Sequence, residues 1–217
     1  MEKLCRAAVV VSCILLLPTL AAAHGSNPNH LSAYLISPFG VTGKITSPAP
    51  THHTPYLGDL SMDVSIAGGS AGYAVYFDGQ AIGPATAVRA KVLQGGANAL
   101  IPACASGRYS DGGYRVQLEI QVYNNGVWTP IGWVWYAHVD GILKNNGEIL
   151  ADPTRFAKVT SQYNSAVGCS NAPHLHLELY NYYHYAGYVP RAEGTTFGIY
   201  DALGCLGGAQ AEDQPCP

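Results

Sequence analysis

Charged residues are scarce in this chain of 217 residues: Lys, Arg, Asp and Glu make up 12% of it, and the formal net charge is −3. A protein that binds nucleic acid needs a basic face, and a chain with 11 basic and 14 acidic residues has no excess from which to build one. We therefore expect no nucleic-acid partner. Long apolar runs are lacking after the first 20 residues, so we also expect no membrane-spanning segment.

The first 23 residues have the features of a secretory signal peptide. Lys3 and Arg6 make the start basic, residues 7–20 form an apolar run, and the alanines at 21–23 supply a cleavage site. We expect a secreted, extracellular protein whose mature chain starts at His24. That chain has nine basic and thirteen acidic residues and about 194 residues in all, enough for one domain with a sizeable core.

Cysteine is sparse in the mature chain, since two of the six cysteines leave with the signal peptide. The four that remain are Cys104, Cys169, Cys205 and Cys216. An even number in an exported chain predicts two disulfides, with three possible pairings. We favour Cys104–Cys169 and Cys205–Cys216, because the last two flank a short Gly-rich tail. A zinc–thiolate site is not expected, because there is no close pair of the C-x-x-C kind.

The fold class follows from alternating residues and from the lack of any sustained helical period or internal repeat. YRVQLEIQVY (residues 114–123) alternates most regularly, and the Asn-Asn-Gly at 124–126 turns it back into a hairpin partner at 127–139. Turns are predicted at Gly79, 83–84, 95–96 and 145–147, and a short helix or loop at 153–160. Further strands are predicted at 30–36, 60–66, 73–77, 87–93 and 175–180. The sequence therefore predicts an all-β single domain of antiparallel sheets.

One predicted strand carries two histidines two positions apart, in APHLHLELY (residues 172–180). Alternation places Leu175, Leu177 and Leu179 towards a core and His174, His176 and Glu178 on the other face. Two imidazoles held side by side on a strand suit metal binding, although a surface strand that carries two histidines by chance is the alternative for this motif alone.

Three stretches together resemble a known family. They are THHTPYLGDLSMD (51–63), WYAHVD (135–140) and APHLHLEL (172–179). In this order they are similar to the lysostaphin-type zinc endopeptidases, which are secreted bacterial cell-wall hydrolases, and most similar to the staphylolysin-like branch. The resemblance covers roughly residues 50–180 and is most specific in the combination of Tyr-Ala-His with the later Pro-His-Leu-His-Leu-Glu.

The resemblance implies a groove between strands that holds one Zn²⁺ ion. His176 and Asp63 would be two ligands, and a histidine upstream of Asp63 would be the third. In most of the family that histidine stands four residues before the aspartate, where this chain has Asp59. The staphylolysin branch has a longer insertion there, so we choose His53, with His52 and Asp59 as alternatives. Three protein ligands leave a fourth position for water, as in catalytic zinc sites generally.

The same resemblance assigns catalytic roles to two further histidines. His174 would be the general base and His138 would stabilise the oxyanion, or the two would share these roles. Imidazole suits proton transfer near neutral pH, and zinc lowers the pKa of bound water towards about 7. The predicted activity is that of a zinc metalloendopeptidase that hydrolyses peptide bonds in the stem or cross-bridge peptides of peptidoglycan.

The predicted organisation is a signal peptide at 1–23, an N-terminal extension at 24–50, the zinc endopeptidase domain at 51–198 and a disulfide-closed Gly-rich tail at 199–217. We expect a monomer. The alternative function is a non-catalytic module that binds cell wall or another ligand on the same scaffold, suggested by Asp59 in the usual histidine position. A mature N-terminal His24 would also permit copper binding through its amino group and ring, but no other stretch supports that.

Overall fold

The computed structural model describes residues 31–36, 38–41, 43–47, 61–82, 84–181, 196–197 and 199–203. These residues form strands and one 3₁₀ turn at Tyr109–Asp111, with no α-helix among them. The strands are β1 (Ser32–Ile36), β2 (Gly43–Ser47), β3 (Ser61–Ser65), β4 (Ala74–Phe77), β5 (Gly79–Ile82), β6 (Ala87–Gln94), β7 (Ile101–Pro102), β8 (Tyr114–Asn124), β9 (Val127–Asp140), β10 (Ile149–Ala151), β11 (Thr154–Val159), β12 (Leu175–Asn181), β13 (Thr196–Phe197) and β14 (Ile199–Leu203).

The strands of this part of the chain pair into two antiparallel sheets, which confirms the all-β prediction. The smaller sheet has the order β14-β1-β5. The larger runs β10-β6-β8-β9-β12-β3-β2-β13, with β7 beside β8 and β11 joining β4 to β9. This order makes β9, β12 and β3 neighbours, so the motifs that lie far apart in sequence meet on adjacent strands.

The predicted hairpin is confirmed: β8 pairs with β9, and the two strands lie inside the larger sheet. Asn125 and Gly126 have φ values of +49° and +84°, which is the backbone that a two-residue hairpin turn with right-handed twist requires. The four alternating residues of β8 predicted to face the core all have no exposed surface; they are Val116, Leu118, Ile120 and Val122. Each such aliphatic side chain contributes about 1.5–3 kcal/mol by leaving water.

Cys104 and Cys169 form a disulfide with a Cα–Cα distance of 5.8 Å, which confirms this predicted pairing. Cys205 and Cys216 lie outside the described residues.

None of the described residues belongs to a helix long and apolar enough to cross a membrane. β1 and β2 fall within residues 24–50 and pair with β5 and β3.

The prediction of a short helix or loop at 153–160 is wrong, because Thr154–Val159 is the strand β11. Its alternation is broken by an irregularity between Arg155 and Ala157, which leaves Phe156 and Ala157 both buried. Two consecutive buried residues hide the period of two on which the prediction depends. Phe156 then packs edge-on against Tyr136 of β9, with ring centroids 5.0 Å apart.

The predicted turn at Gly79 is also wrong, because this residue begins β5. Gly79 pairs with Leu35 of β1, and its N–H donates to Asp152 Oδ1 at 2.7 Å. A glycine is a poor strand former in isolation, and here pairing between distant strands overrides that preference.

Candidate metal centre

Asp63 and His176 are brought face to face by strand register. Asp63 lies in the middle of β3, and His176 occupies the directly opposite position on β12. Side chains opposite each other on antiparallel strands share a face and have their Cβ atoms about 5 Å apart. The Asp63 carboxylate therefore meets the imidazole, with Oδ1 3.1 Å from His176 Nδ1. Leu175 and Leu177 lie on the other face of β12 and are buried, which confirms the predicted alternation.

His174, one residue before β12, reaches the same carboxylate oxygen. Its Nε2 is 3.2 Å from Asp63 Oδ1, and its Nδ1 is 2.7 Å from the carbonyl oxygen of Ala172. A carbonyl oxygen only accepts hydrogen bonds, so Nδ1 carries the proton and donates it. Nε2 then faces the Asp63 carboxylate, as a donor when the ring carries a second proton and with its lone pair when it does not. Two acceptors at this distance require a proton or a cation between them.

The distances around Asp63 Oδ1 suit a divalent ion. Zinc–nitrogen and zinc–oxygen bonds of about 2.0–2.1 Å place neighbouring ligand atoms of a tetrahedral site about 3.3 Å apart. The observed 3.1 Å to His176 and 3.2 Å to His174 match that spacing. One carboxylate and neutral imidazoles form a typical zinc donor set. The residues present thus fit zinc, and the division of roles between His174 and His176 stays a prediction.

His138 completes a cluster of three imidazoles around the carboxylate. It belongs to β9, and its ring centroid is 4.5 Å from that of His174 and 6.0 Å from that of His176. Its backbone has a φ of +63°, an uncommon left-handed conformation for a residue other than glycine. The ring is buried, with 4% of the residue exposed. The end of β9 therefore departs from regular strand geometry at the residue whose side chain enters the site.

Hydrogen bonding and burial hold His138 neutral. Its Nδ1 is 2.9 Å from the carbonyl oxygen of Gly112 and therefore donates a proton to it. Burial, followed by the nearby His174 ring, lowers the pKa of His138 to about 4. At neutral pH the other nitrogen, Nε2, is left with a lone pair. His138 is therefore arranged to accept a proton at Nε2.

The Gly112 carbonyl is fixed by a loop that the disulfide closes. Cys104 Sγ is 3.4 Å from the carbonyl oxygen of Asp111. A Cβ atom placed on Gly112 would lie 2.7 Å from Cys104 Sγ and 3.0 Å from His138 Nδ1. No side chain fits between the disulfide and the imidazole, so only glycine lets the carbonyl approach this closely.

Asp111 anchors the same loop through its carboxylate. Its Oδ1 accepts from Asn164 Nδ2 at 2.9 Å and its Oδ2 from Arg108 Nε at 3.0 Å. The hydroxyl of Ser106, the amide of Asn164 and the guanidinium of Arg108 lower the pKa of Asp111 to about 2. These contacts tie residues 106–112 to the loop that precedes the two-histidine motif.

The structure brings together four of the five residues predicted for the site: Asp63, His138, His174 and His176. His53 and the alternatives His52 and Asp59 lie outside the described residues. Sequence reasoning missed Gly112 and Asp111, which position His138. The Gly-Gly pair at 112–113 was the available signal, but nothing in the sequence links it to a histidine 26 positions later.

Comparisons with known proteins add little to this picture. No family model and no curated protein matches the chain. Among solved structures, a zinc-containing peptidase from Vibrio cholerae is similar with a TM-score of 0.38 and 18% sequence identity, over 63% of this chain and 32% of that one. The chain thus spans about a third of the length of that protein. At this degree of similarity we rest the functional reasoning on the site itself.

Proposed function

We propose that this protein is a secreted zinc metalloendopeptidase that hydrolyses peptide bonds in peptidoglycan. The observation that carries the proposal is the position of Asp63 Oδ1, at 3.1 Å from His176 Nδ1 and 3.2 Å from His174 Nε2. A carboxylate between imidazole nitrogens at this spacing suits a bound divalent ion. The three motifs that resemble the lysostaphin-type enzymes supply the choice of zinc and of substrate.

Zinc bound here would polarise the scissile carbonyl and lower the pKa of water. In our assignment Asp63, His176 and His53 hold the ion. One carboxylate and two neutral imidazoles leave the centre with a net positive charge, which favours negative charge developing on the substrate oxygen. Asp63 also neutralises part of the charge that appears when a neighbouring imidazole takes up a proton.

The two remaining histidines would move the protons. His174 donates from Nδ1 to Ala172 and His138 donates from Nδ1 to Gly112, so Nε2 is the nitrogen of each ring that would exchange a proton with water. Nε2 of His174 also lies 3.2 Å from Asp63 Oδ1, so the carboxylate would stabilise a proton taken up there. After accepting it, the same nitrogen becomes a donor to the oxyanion or the leaving amine. Stabilisation of the oxyanion by His138 thus follows protonation at Nε2, because neutral His138 has no proton there.

An extended peptide could lie along β12 and β9. Glu178 and Trp135 are cross-strand neighbours and share the face of His176. The guanidinium of Arg115 lies 4.6 Å from the centre of the Trp135 ring. These side chains would offer a peptide strand a carboxylate, an aromatic edge and a cation beside the metal ligands.

Two alanine substitutions test the assignment. His176→Ala should remove zinc, measured by metal analysis after dialysis, together with the release of new amino termini from isolated cell walls. His174→Ala should keep zinc and lower the hydrolysis rate by about 100-fold or more, the usual effect of losing a general base. Tyr163→Ala, at a residue that is 51% exposed, is the control and should change neither measurement.

The outcomes also separate the enzyme from a binding module. A His174→Ala protein with normal turnover would contradict the assigned base. A wild-type protein that holds zinc, binds cell walls and releases no amino termini from several wall types would favour the non-catalytic module.

A further inference from the structure

The disulfide Cys104–Cys169 lies close to the imidazole of His138. One ligand atom from each of these three residues lies within 4.8 Å of the other two. Cys104 and His138 are buried, while Cys169 is half-buried. The two sulfur atoms bond to each other here, so neither of them is available to a metal in this state.

The imidazole nitrogen on the disulfide side of the ring is Nδ1. The position of a Cβ on Gly112 is 2.7 Å from Cys104 Sγ and 3.0 Å from His138 Nδ1, which places both atoms around one point. Nδ1 is also the nitrogen that donates to the Gly112 carbonyl. His138 thus presents Nδ1 to the disulfide, and its Nε2 lies across the ring.

We propose that reduction of this disulfide creates a second metal site, in which the sulfurs of Cys104 and Cys169 and Nδ1 of His138 bind one zinc ion. A phosphine reductant and water supply the two electrons and two protons: the sulfur–sulfur bond breaks, two thiols form, and the phosphine becomes its oxide. Binding a divalent ion then displaces one proton from each thiol, because the thiolate is the ligand.

The spacing of the three groups suits such a site. Zinc–sulfur bonds of about 2.3 Å and zinc–nitrogen bonds of about 2.0 Å put sulfur and nitrogen about 3.5 Å apart and two sulfurs about 3.8 Å apart. Breaking the disulfide lets the sulfurs separate, while the nitrogen approaches from within 4.8 Å. Residues 165–168, just before Cys169, are exposed, which gives an ion a route in.

The site would compete with the proposed catalytic centre for His138. To bind a metal through Nδ1, His138 takes the tautomer that carries its proton on Nε2, loses the hydrogen bond to Gly112 and turns towards the sulfurs. Nε2 is then no longer a proton acceptor. This consequence rests on the proposed function: reduction in the presence of zinc would slow hydrolysis. Formation of the site itself is independent of that function and is tested by spectroscopy.

The test uses the full chain with Cys5, Cys13, Cys205 and Cys216 replaced by serine, so that only two thiols form. The protein is reduced with a trialkylphosphine and titrated with Co²⁺. We expect a sulfur-to-cobalt charge-transfer band in the near ultraviolet that is absent before reduction and saturates within two equivalents, because the proposed zinc centre also takes up cobalt. Cobalt at Asp63 and His176 produces no such band, because those ligands contain no sulfur.

Three variants decide the outcome. Cys169→Ser should abolish the band. His138→Ala should weaken the cobalt binding that the band reports at least tenfold. Asp63→Asn should leave the band unchanged and remove zinc from the oxidised protein. An unchanged affinity in His138→Ala overturns the proposal, as does the lack of any band. Near-ultraviolet circular dichroism follows the fold, and a reduced chain that unfolds and does not refold on adding cobalt overturns it as well. If zinc binding by the oxidised protein fails while the band forms, the proposed function fails and the second site stands.

Discussion

Asp63 and His176 occupy opposite positions on paired strands, whereas His138 stands where β9 departs from strand geometry, with a φ of +63°. The first pair needs only the sheet register to meet at 3.1 Å. The third residue needs the Gly112 carbonyl, which the disulfide and the Asp111 contacts hold in place. One side of the centre is thus positioned by backbone pairing and the other by a cross-linked loop.

The difference separates metal binding from the positioning of His138. A sheet register cannot shift by one residue without exposing the buried face of the strand, so the Asp63 side is set together with the core. A loop can move with little change in the core, so the His138 side can be altered by itself. Changes to the loop should therefore affect His138 and spare the ion, whereas changes to Asp63 should affect the ion and the neighbouring His174 and leave the Gly112–His138 contact in place.

Removing the Cys104–Cys169 disulfide should have the largest effect, and that effect should be on the free energy of unfolding. Replacing Cys104 and Cys169 by alanine frees a cross-link over 65 residues, which lowers the free energy of unfolding by about 4 kcal/mol in the chain-entropy account. Guanidinium denaturation measures this, with Cys205→Ser/Cys216→Ser as the matched control. Below the unfolding transition the variant should still bind zinc. A folded variant that had lost zinc would show that the two sides of the centre are not independent.

The second largest effect should be the loss of zinc affinity when Asp63 is replaced by asparagine. The substitution keeps the shape and removes the negative charge between His174 and His176, so we expect zinc affinity to fall at least about 100-fold. The free energy of unfolding without metal should change by less than about 1 kcal/mol, because the side chain is not part of the core. Competition with a chelator measures the affinity. Glu148→Gln, at a half-buried carboxylate that pairs with Lys144, should leave zinc binding unchanged.

The sheet side of the molecule could be predicted from the sequence because it depends on local periods. The alternation of β8 and β12 identified the buried faces, and the Asn-Gly turn identified the hairpin. β11 was not predicted as a strand because Phe156 and Ala157 are both buried and interrupt the alternation of buried and exposed residues. β5 was missed because its partner, β1, lies more than 40 residues away.

The loop side could not be predicted because nothing local specifies it. His138 has a left-handed backbone at a position where a regular strand was expected. No glycine or other residue type in the sequence at this position indicates that conformation. Its partner Gly112 is 26 residues away, and the partners of Asp111 include Asn164, 53 residues on. Cysteine counting predicted two disulfides with three possible pairings, of which the one with Cys104–Cys169 was favoured. It did not indicate that this bond lies close to a histidine.

A methyl group at Gly112 tests the loop side with a smaller change. The Cβ of Gly112→Ala would meet Cys104 Sγ at 2.7 Å and His138 Nδ1 at 3.0 Å. Such overpacking typically destabilises by about 1–3 kcal/mol. We expect a lower urea midpoint and slower hydrolysis with zinc content unchanged, whereas Ser110→Ala, at an exposed neighbour, should behave as wild type.

The smallest expected effect is the contribution of Asp111 to the pH dependence of the folded protein's stability. Its folded pKa of about 2 is below the unfolded value of 3.8, so the folded state favours the ionised carboxylate. The stabilisation is present above about pH 4 and is lost as the pH falls through about 2. Asp111→Asn keeps the shape of the side chain and cannot titrate, so the fall in urea midpoint between pH 5 and pH 2.5 should be shallower than in wild type. An equally steep fall would mean that other carboxylates dominate acid unfolding. The loop that positions His138 would then be held by the disulfide and its hydrogen bonds, without a contribution from the Asp111 charge.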